Sequence, residues 1–177
     1  VYEAVRDDIG ARAAVKVLRP EYARNTDMAT RFFNEARAAN MIQHAGIVRV
    51  FDYGHLPTGE AYLAMELLEG ESLRGRLERE TRLSETDTIR LGRQIASVLV
   101  SAHQKQIIHR DLKPENIMLI PDAETPGGER AKLLDFGIAK LESDSAGAFR
   151  TKTNTVMGTP VYMAPEQCRG IKAIGDR

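Results

Sequence analysis

The sequence has one cysteine, no net charge, no long apolar run and no internal repeat. A single thiol, Cys168, cannot close an internal disulfide, which fits a reducing, cytoplasmic setting. With 25 basic residues against 25 acidic ones, nothing suggests a surface for nucleic acid or for an anionic membrane. The longest apolar stretches fall far short of a bilayer span, so no membrane contact is expected from this segment. His44, His55 and His103 lack metal-ligand spacing and read as structural or surface residues. The opening VYEAVRDD has neither the basic nor the apolar part of a signal peptide, and starting without Met it reads as a cut rather than a natural start. What is present, 42% hydrophobic and 28% charged residues over 177 positions, suits one globular domain or most of one.

The apolar pattern is strand-like first and helix-like later. Val1 to Ala4 and Ala13 to Leu18 read as strands joined by a turn at Asp7-Asp8-Ile9-Gly10. Alternation puts Ala14, Lys16 and Leu18 on one face. Asp27 to Gln43 reads as a helix with Phe32, Ala36 and Ala39 at helical spacing. Ile47 to Tyr53 and Ala61 to Leu67 form a hairpin over Pro57-Thr58-Gly59. Glu69-Gly70 looks like a hinge. Ser72 to Glu80 is a short helix, and Ser84-x-x-Asp87 is a capping box for a longer one carrying Leu91, Ile95, Val98 and Ala102 on its buried face. Ile117 to Ile120 and Lys132 to Leu134 pair as short strands around a polar loop, PDAETPGGER, expected to be a flexible insertion. The order implies an α+β fold in two lobes.

Residues 109 to 119, HRDLKPENIML, carry the strongest chemical signal. One short loop holds a carboxylate (Asp111), an ammonium (Lys113) and a carboxamide (Asn116). Phosphoryl transfer from ATP needs a group that orients a hydroxyl, a cation near the migrating phosphoryl, and a metal ligand. The five fixed side chains of HRD-x-K-x-x-N match about one random site in 20^5. Asp135-Phe136-Gly137, then Gly158-Thr159-Pro160 and Ala164-Pro165-Glu166, follow in order.

With these motifs the chain resembles a eukaryotic-type Ser/Thr protein kinase domain of the bacterial branch. The resemblance runs from Val1 to about Arg177. It implies a bilobal fold, residues 1–68 forming the N-lobe and 69–177 the first part of the C-lobe, with ATP between them and Mg²⁺ as the metal. It implies that Lys16, in AAVKVL, contacts the ATP phosphates and is held by Glu35. Ala14, Val1 and Met118 would enclose adenine, Met65 would gate the pocket behind it, and the Glu66 carbonyl and Leu68 N–H would bond its edge. Asp111 is the implied base, Lys113 its cationic partner, and Asn116 and Asp135 the metal ligands. His109 is implied to be scaffold: it packs under Phe136 in a column that Val50 and Ala39 extend. Arg110 would receive a phosphate on the activation segment, with Thr151 and Thr153 the candidate autophosphorylation sites and kinase dimerisation a possible route to them. Thr159 would contact Asp111 and Lys113 and position a protein substrate.

The departures lie at the ends. The family's G-x-G-x-x-G-x-V loop would precede Val1, and later C-lobe helices would follow Arg177. The chain is therefore expected to be a fragment of an active parent, poorly soluble by itself and with little ATP turnover, exposing apolar surface around Ile95 and Val98. The parent's membrane anchoring is not readable. One alternative is a pseudokinase that binds without transfer, although such proteins typically lack one of the residues kept here. A small-molecule kinase is the other, and those lack a segment like GTPVYMAPE.

Overall fold

The computed structural model describes residues 1–19, 26–136 and 160–165. Its first half is an antiparallel sheet in the order β1-β2-β4-β3, built from β1 (Tyr2–Arg6), β2 (Ala11–Val17), β3 (Val50–His55) and β4 (Ala61–Glu66). β1 and β2 turn where expected, with Gly10 at φ +65°, a left-handed conformation that glycine adopts at no steric cost. Register pairs Lys16 with Leu63 and Ala14 with Met65, so these side chains share a face. Helix α1 (Thr26–Met41) covers it. Ala29, Phe32 and Ala36 recur at helical spacing and pack on Ala61 and Leu63, with Leu18 and Phe33 at the rim.

The second half starts after a linker through Leu67 to Gly70. A short strand, β5 (Glu71–Ser72), precedes α2 (Leu73–Glu80) and α3 (Glu85–His103). Both helices begin as the sequence dictates: Ser72 Oγ accepts from the Gly75 N–H at 3.0 Å, and Ser84 Oγ from the Asp87 N–H at 3.0 Å. β6 (Ile117–Pro121) and β7 (Glu129–Leu133) then form a second sheet in the order β5-β6-β7. β5 was not foreseen, because two residues, Glu and Ser, carry no strand pattern.

β7 is an edge strand, and its free backbone is covered from two directions. The Gln94 side chain on α3 accepts from the Ala131 N–H at 2.8 Å and donates to the Glu129 carbonyl at 3.1 Å. One step along, the Leu133 N–H donates to the Gly46 carbonyl at 2.8 Å and its carbonyl accepts from the Val48 N–H at 3.3 Å. The segment after α1 therefore pairs with a strand of the second lobe. Ala39, Ile42 and Ile47 from the first half pack with Val98, Ala102, Leu133 and Phe136 from the second in one buried cluster.

Two expectations need correction. The polar loop after β6 is ordered: the Asp122 carboxylate accepts from the Glu124 N–H, the Thr125 hydroxyl and the Arg130 guanidinium, and the Gly128 N–H bonds the Thr125 carbonyl. Self-satisfied polar groups make a tight turn where composition alone suggested a loose one. Val98 is fully buried and Ile95 half-buried, so they do not form the exposed apolar face of α3. Ile89 and Val100 do, because α3 turns the other stripe onto β7. At Glu69-Gly70 the glycine also meets a packing need: a Cβ on Gly70 would sit 2.0 Å from the Leu119 carbonyl oxygen.

Candidate active site

The loop entering the site is bent at Arg110. Its φ is +60°, and the Asp111 N–H returns to the His109 carbonyl at 2.8 Å, closing a γ-turn. Such a turn stores strain and aims the next side chain away from the chain direction. Asp111 is that next residue. Its Oδ2 lies 3.1 Å from the Lys113 ammonium and accepts from the Asn116 Nδ2 at 3.1 Å. The same Nδ2 donates to the Asp111 carbonyl at 2.9 Å. Asn116 is buried, on the 3-10 turn Pro114–Asn116 that leads directly into β6. The loop thus closes on itself: the carboxamide locks the carboxylate it follows by five residues.

His109 is scaffold by geometry. It is almost fully buried, its ring 4.7 Å from that of Phe136. Nε2 faces the Leu134 carbonyl at 3.0 Å, and Nδ1 accepts weakly from the Asp111 N–H at 3.4 Å. This pattern assigns the proton to Nε2. Burial holds the imidazole below its usual range, against opposing effects of the Leu134 carbonyl and of Asp111 and Asp135. A neutral ring used at both nitrogens orients the loop, and its one N–H is already given to the Leu134 carbonyl. Ala39, Phe136 and half-buried Val50 belong to the cluster beneath it.

The metal-ligand candidates meet through the backbone. Beyond β7, the Leu134 N–H donates to the Asn116 carbonyl at 2.9 Å, setting Asp135 alongside the end of the catalytic loop. Asp135 has a left-handed φ of +45°, which turns its half-exposed carboxylate out of the strand line. With Nδ2 of Asn116 committed to Asp111, its Oδ1 is the atom left to offer a cation. Two oxygen donors fit Mg²⁺, which takes few protein ligands and keeps the rest of its shell for water and phosphate. No cluster of three His, Cys, Asp or Glu side chains suited to a metal occurs among the described residues.

Across the cleft, the Lys16 ammonium pairs with Asp135 Oδ1 at 2.6 Å and lies 5.9 Å from the centre of the Phe32 ring. Sequence reasoning gave Lys16 the carboxylate of Glu35 instead. The difference is one of reach: the turned-out Asp135 comes within bonding distance of the β2 face that Lys16 occupies. Glu35 is half-buried on α1. Ala14 is buried on that same face opposite Met65, with Met118 half-buried on β6, while Val1 is exposed at the start of the sheet. Glu66 and Leu68 border a cleft of about 380 Å³ together with Arg12, Leu67, Glu69, Ile120 and Pro121. Thr151, Thr153, Thr159, Gly137 and Glu166 lie outside the described residues.

Sequence reasoning missed a polar cluster on the far side of the second sheet. Glu129 receives Arg76 at 2.6 Å and Arg90 at 3.3 Å, while Glu71 also holds Arg76 at 2.5 Å. It ties β5, α2, α3 and β7 together below the catalytic loop. The sequence offered no signal for it, because Glu129 falls in the polar run PDAETPGGER that reads as loop.

The family model described as protein kinase domain matches residues 1–175. The chain is 40% identical over 171 residues to serine/threonine-protein kinase pkn3 of Myxococcus xanthus, covering 96% of this chain and 31% of the relative. It is 42% identical over 174 residues to serine/threonine-protein kinase PknA of Mycobacterium tuberculosis, covering 96% of this chain and 38% of the relative. The chain therefore spans about a third of the length of these curated relatives. Among solved structures, the PknI kinase domain of Mycobacterium tuberculosis superposes with a TM-score of 0.62 at 29% identity, over 77% of this chain and 54% of that one. A family match over nearly the whole chain, on a two-lobed α+β fold with the HRD loop and Asp135 at the cleft, means that the chain belongs to the protein kinase domain family, among the bacterial serine/threonine kinases.

Proposed function

We propose that this chain carries the reaction centre of an ATP-dependent Ser/Thr protein kinase, which moves the terminal phosphoryl group of ATP to a protein hydroxyl. The observation that carries the reading is the hold on Asp111: an ammonium and a buried carboxamide both reach Oδ2 and fix the carboxylate's plane. An oriented carboxylate takes the proton of a serine or threonine hydroxyl as its oxygen bonds phosphorus and the bond to ADP breaks. Lys113 holds Asp111 in place and puts positive charge beside the migrating group. Mg²⁺, bound through Asn116 and Asp135, would neutralise charge on the phosphate oxygens.

Lys16 and Asp135 converge on one point of the cleft. In the working complex the ammonium turns to the ATP phosphates, with Glu35 as its anchor, and the carboxylate to the cation. Ala14, Met118 and Val1 enclose adenine, with Met65 behind it and the linker groups of Glu66 and Leu68 at its edge. Phosphate on Thr151 or Thr153 would dock against Arg110, and Thr159 would position a protein acceptor. Dimerisation of the kinase would deliver one copy's threonines to the other. ATP places the reaction in the cytoplasm; no helix among the described residues is long and apolar enough to cross a membrane.

The test is transfer of labelled phosphate from ATP to a protein substrate by the protein of the complete reading frame, with Asp111→Asn as the control. Phosphoserine or phosphothreonine that forms with wild type and is lost in the variant is the expected result. Tight ATP binding with no transfer under any metal would instead establish a binding module. Phosphopeptide mapping that finds phosphate only outside Thr151 and Thr153 would refute their assignment.

A further inference from the structure

A buried charge pair outside the phosphoryl-transfer machinery sits at the linker. Lys132, on β7, is one of the few buried charged residues among those described, and its ammonium bonds Oε1 of Glu66 at the end of β4. Ala131 and Leu133, its neighbours, point into the core, so alternation sends Lys132 out of the opposite sheet face toward the linker. Removing a lysine from water is costly, and only a well-placed partner offsets it.

The backbone around Glu66 shows what the pair does. Val50 opposes Met65 in the β3–β4 ladder, so Arg49 opposes Glu66. An antiparallel pair of this kind exchanges two bonds, N–H to carbonyl each way. One is present: the Glu66 N–H donates to the Arg49 carbonyl at 2.9 Å. The return bond is diverted. The Arg49 N–H donates at 2.9 Å to Oε1 of the Glu66 side chain, the oxygen that Lys132 holds. The side chain thus takes the donor that would otherwise bond Glu66's own main-chain carbonyl.

We infer that Lys132 and Glu66 form a clasp that keeps the Glu66 carbonyl available as an acceptor for the nucleotide base, so that Lys132 is a specificity-determining positioning residue. The inference rests on the kinase reading and assigns a task within it. A main-chain acceptor at this point favours a purine with a 6-amino donor over one with a 6-oxo acceptor. With the clasp open, the Arg49 N–H swings to the Glu66 carbonyl and competes with the base.

The experiment compares ATP with ITP in the protein of the complete reading frame, as wild type, Lys132→Met, Glu66→Ala and Lys132→Arg. Wild type should prefer ATP. Lys132→Met and Glu66→Ala should raise the KM for ATP about tenfold, the loss expected for one hydrogen bond in a desolvated site, and lose most of the preference over ITP while kcat changes far less. Lys132→Arg should restore a large part of the preference. If Lys132→Met and Glu66→Ala keep the wild-type ATP to ITP ratio, and only the melting temperature falls, the clasp is a structural pair and the inference is overturned. If wild type binds neither nucleotide, the kinase reading fails, and hydrogen exchange then judges the clasp alone. Exchange in the Arg49 and linker amides should be altered by Lys132→Met and restored by Lys132→Arg; an unchanged pattern refutes it.

Discussion

Replacing Gly70 by alanine should destabilise the protein, although by general rules the change looks mild. Gly70 is exposed on the linker and does not require a left-handed φ. A glycine-to-alanine change that fits the native backbone stabilises by about 0.4–1 kcal/mol, because the unfolded chain loses freedom. Here the new Cβ would stand 2.0 Å from the Leu119 carbonyl oxygen and 3.0 Å from its carbon. Both atoms belong to β6, whose Leu119 pairs with Glu71, the residue after the glycine. The obstacle is therefore backbone and cannot rotate aside; β5 or the linker must retreat by about 1 Å. Overpacking of this kind costs about 1–3 kcal/mol, which leaves a net loss of about 1–2 kcal/mol after the unfolded-state gain. For a domain of this size that lowers the melting temperature by about 2–8 °C. Gly92 is the internal control: it lies in α3, a Cβ there meets nothing within 4 Å, and alanine should raise stability by about 1 kcal/mol through helix propensity. Thermal and urea unfolding of both variants decides. A neutral or stabilising Gly70→Ala would mean that the close approach to β6 does not constrain the linker.

Asp111→Asn should lower kcat by about 10²–10⁴ with little change in unfolding midpoint, as expected for loss of a proton acceptor; a rate within threefold of wild type would remove Asp111 from the mechanism. Val98→Ala removes two methyl groups from a fully buried site and should cost about 2–3 kcal/mol. Because a Cβ on Gly46 would meet Val98 Cγ2 at 2.5 Å, Gly46→Ala should cost less in the Val98→Ala background than alone; strict additivity in a double-mutant cycle would refute the contact. His109, held below its usual range by burial, binds fewer protons folded than unfolded as pH falls below about 6.5. Its contribution is complete above that pH and drains away below it, by at most about 1.4 kcal/mol per pH unit. His44 shifts in the same direction, so the part due to His109 is the part of the acid slope that His109→Phe abolishes; an unchanged slope would show that His109 does not carry it.

What was legible in the sequence was local. The HRD loop declares itself because Asp111, Lys113 and Asn116 sit within six positions, and their mutual bonds follow from that spacing. The helix caps at Ser72 and Ser84 were readable for the same reason. Contacts across large separations were not. Arg76 meets Glu129 across 53 positions, and neither residue has a pattern that names the other. In the structure Lys16 meets an aspartate 119 positions away, a contact set by the turned-out backbone at Asp135, which no sequence pattern announces.

Four consecutive residues show why such contacts matter for the site. Lys132 sends its side chain to Glu66 at the linker; Leu133 gives its backbone to Gly46 and Val48; Leu134 gives its N–H to Asn116 and its carbonyl to His109; Asp135 reaches Lys16. The end of β7 therefore touches the linker, the segment after α1, the catalytic loop and the β2 lysine in turn. Each contact uses a different group, so no single side-chain change can break them all. A displacement of β7 as a whole would move Glu66 at the linker, Asn116 and the Lys16 partner Asp135 together. On that argument a substitution far from the cleft, such as Gln94→Ala, which takes the side chain from the Ala131 N–H and the Glu129 carbonyl, should reach the site through this strand. Orphaning a backbone donor costs about 1–3 kcal/mol. Loosening of β7 should accelerate hydrogen exchange at Leu133 and Leu134 as well as at Ala131. Faster exchange confined to Ala131 would show that β7 does not move as a unit and that the four contacts are independent.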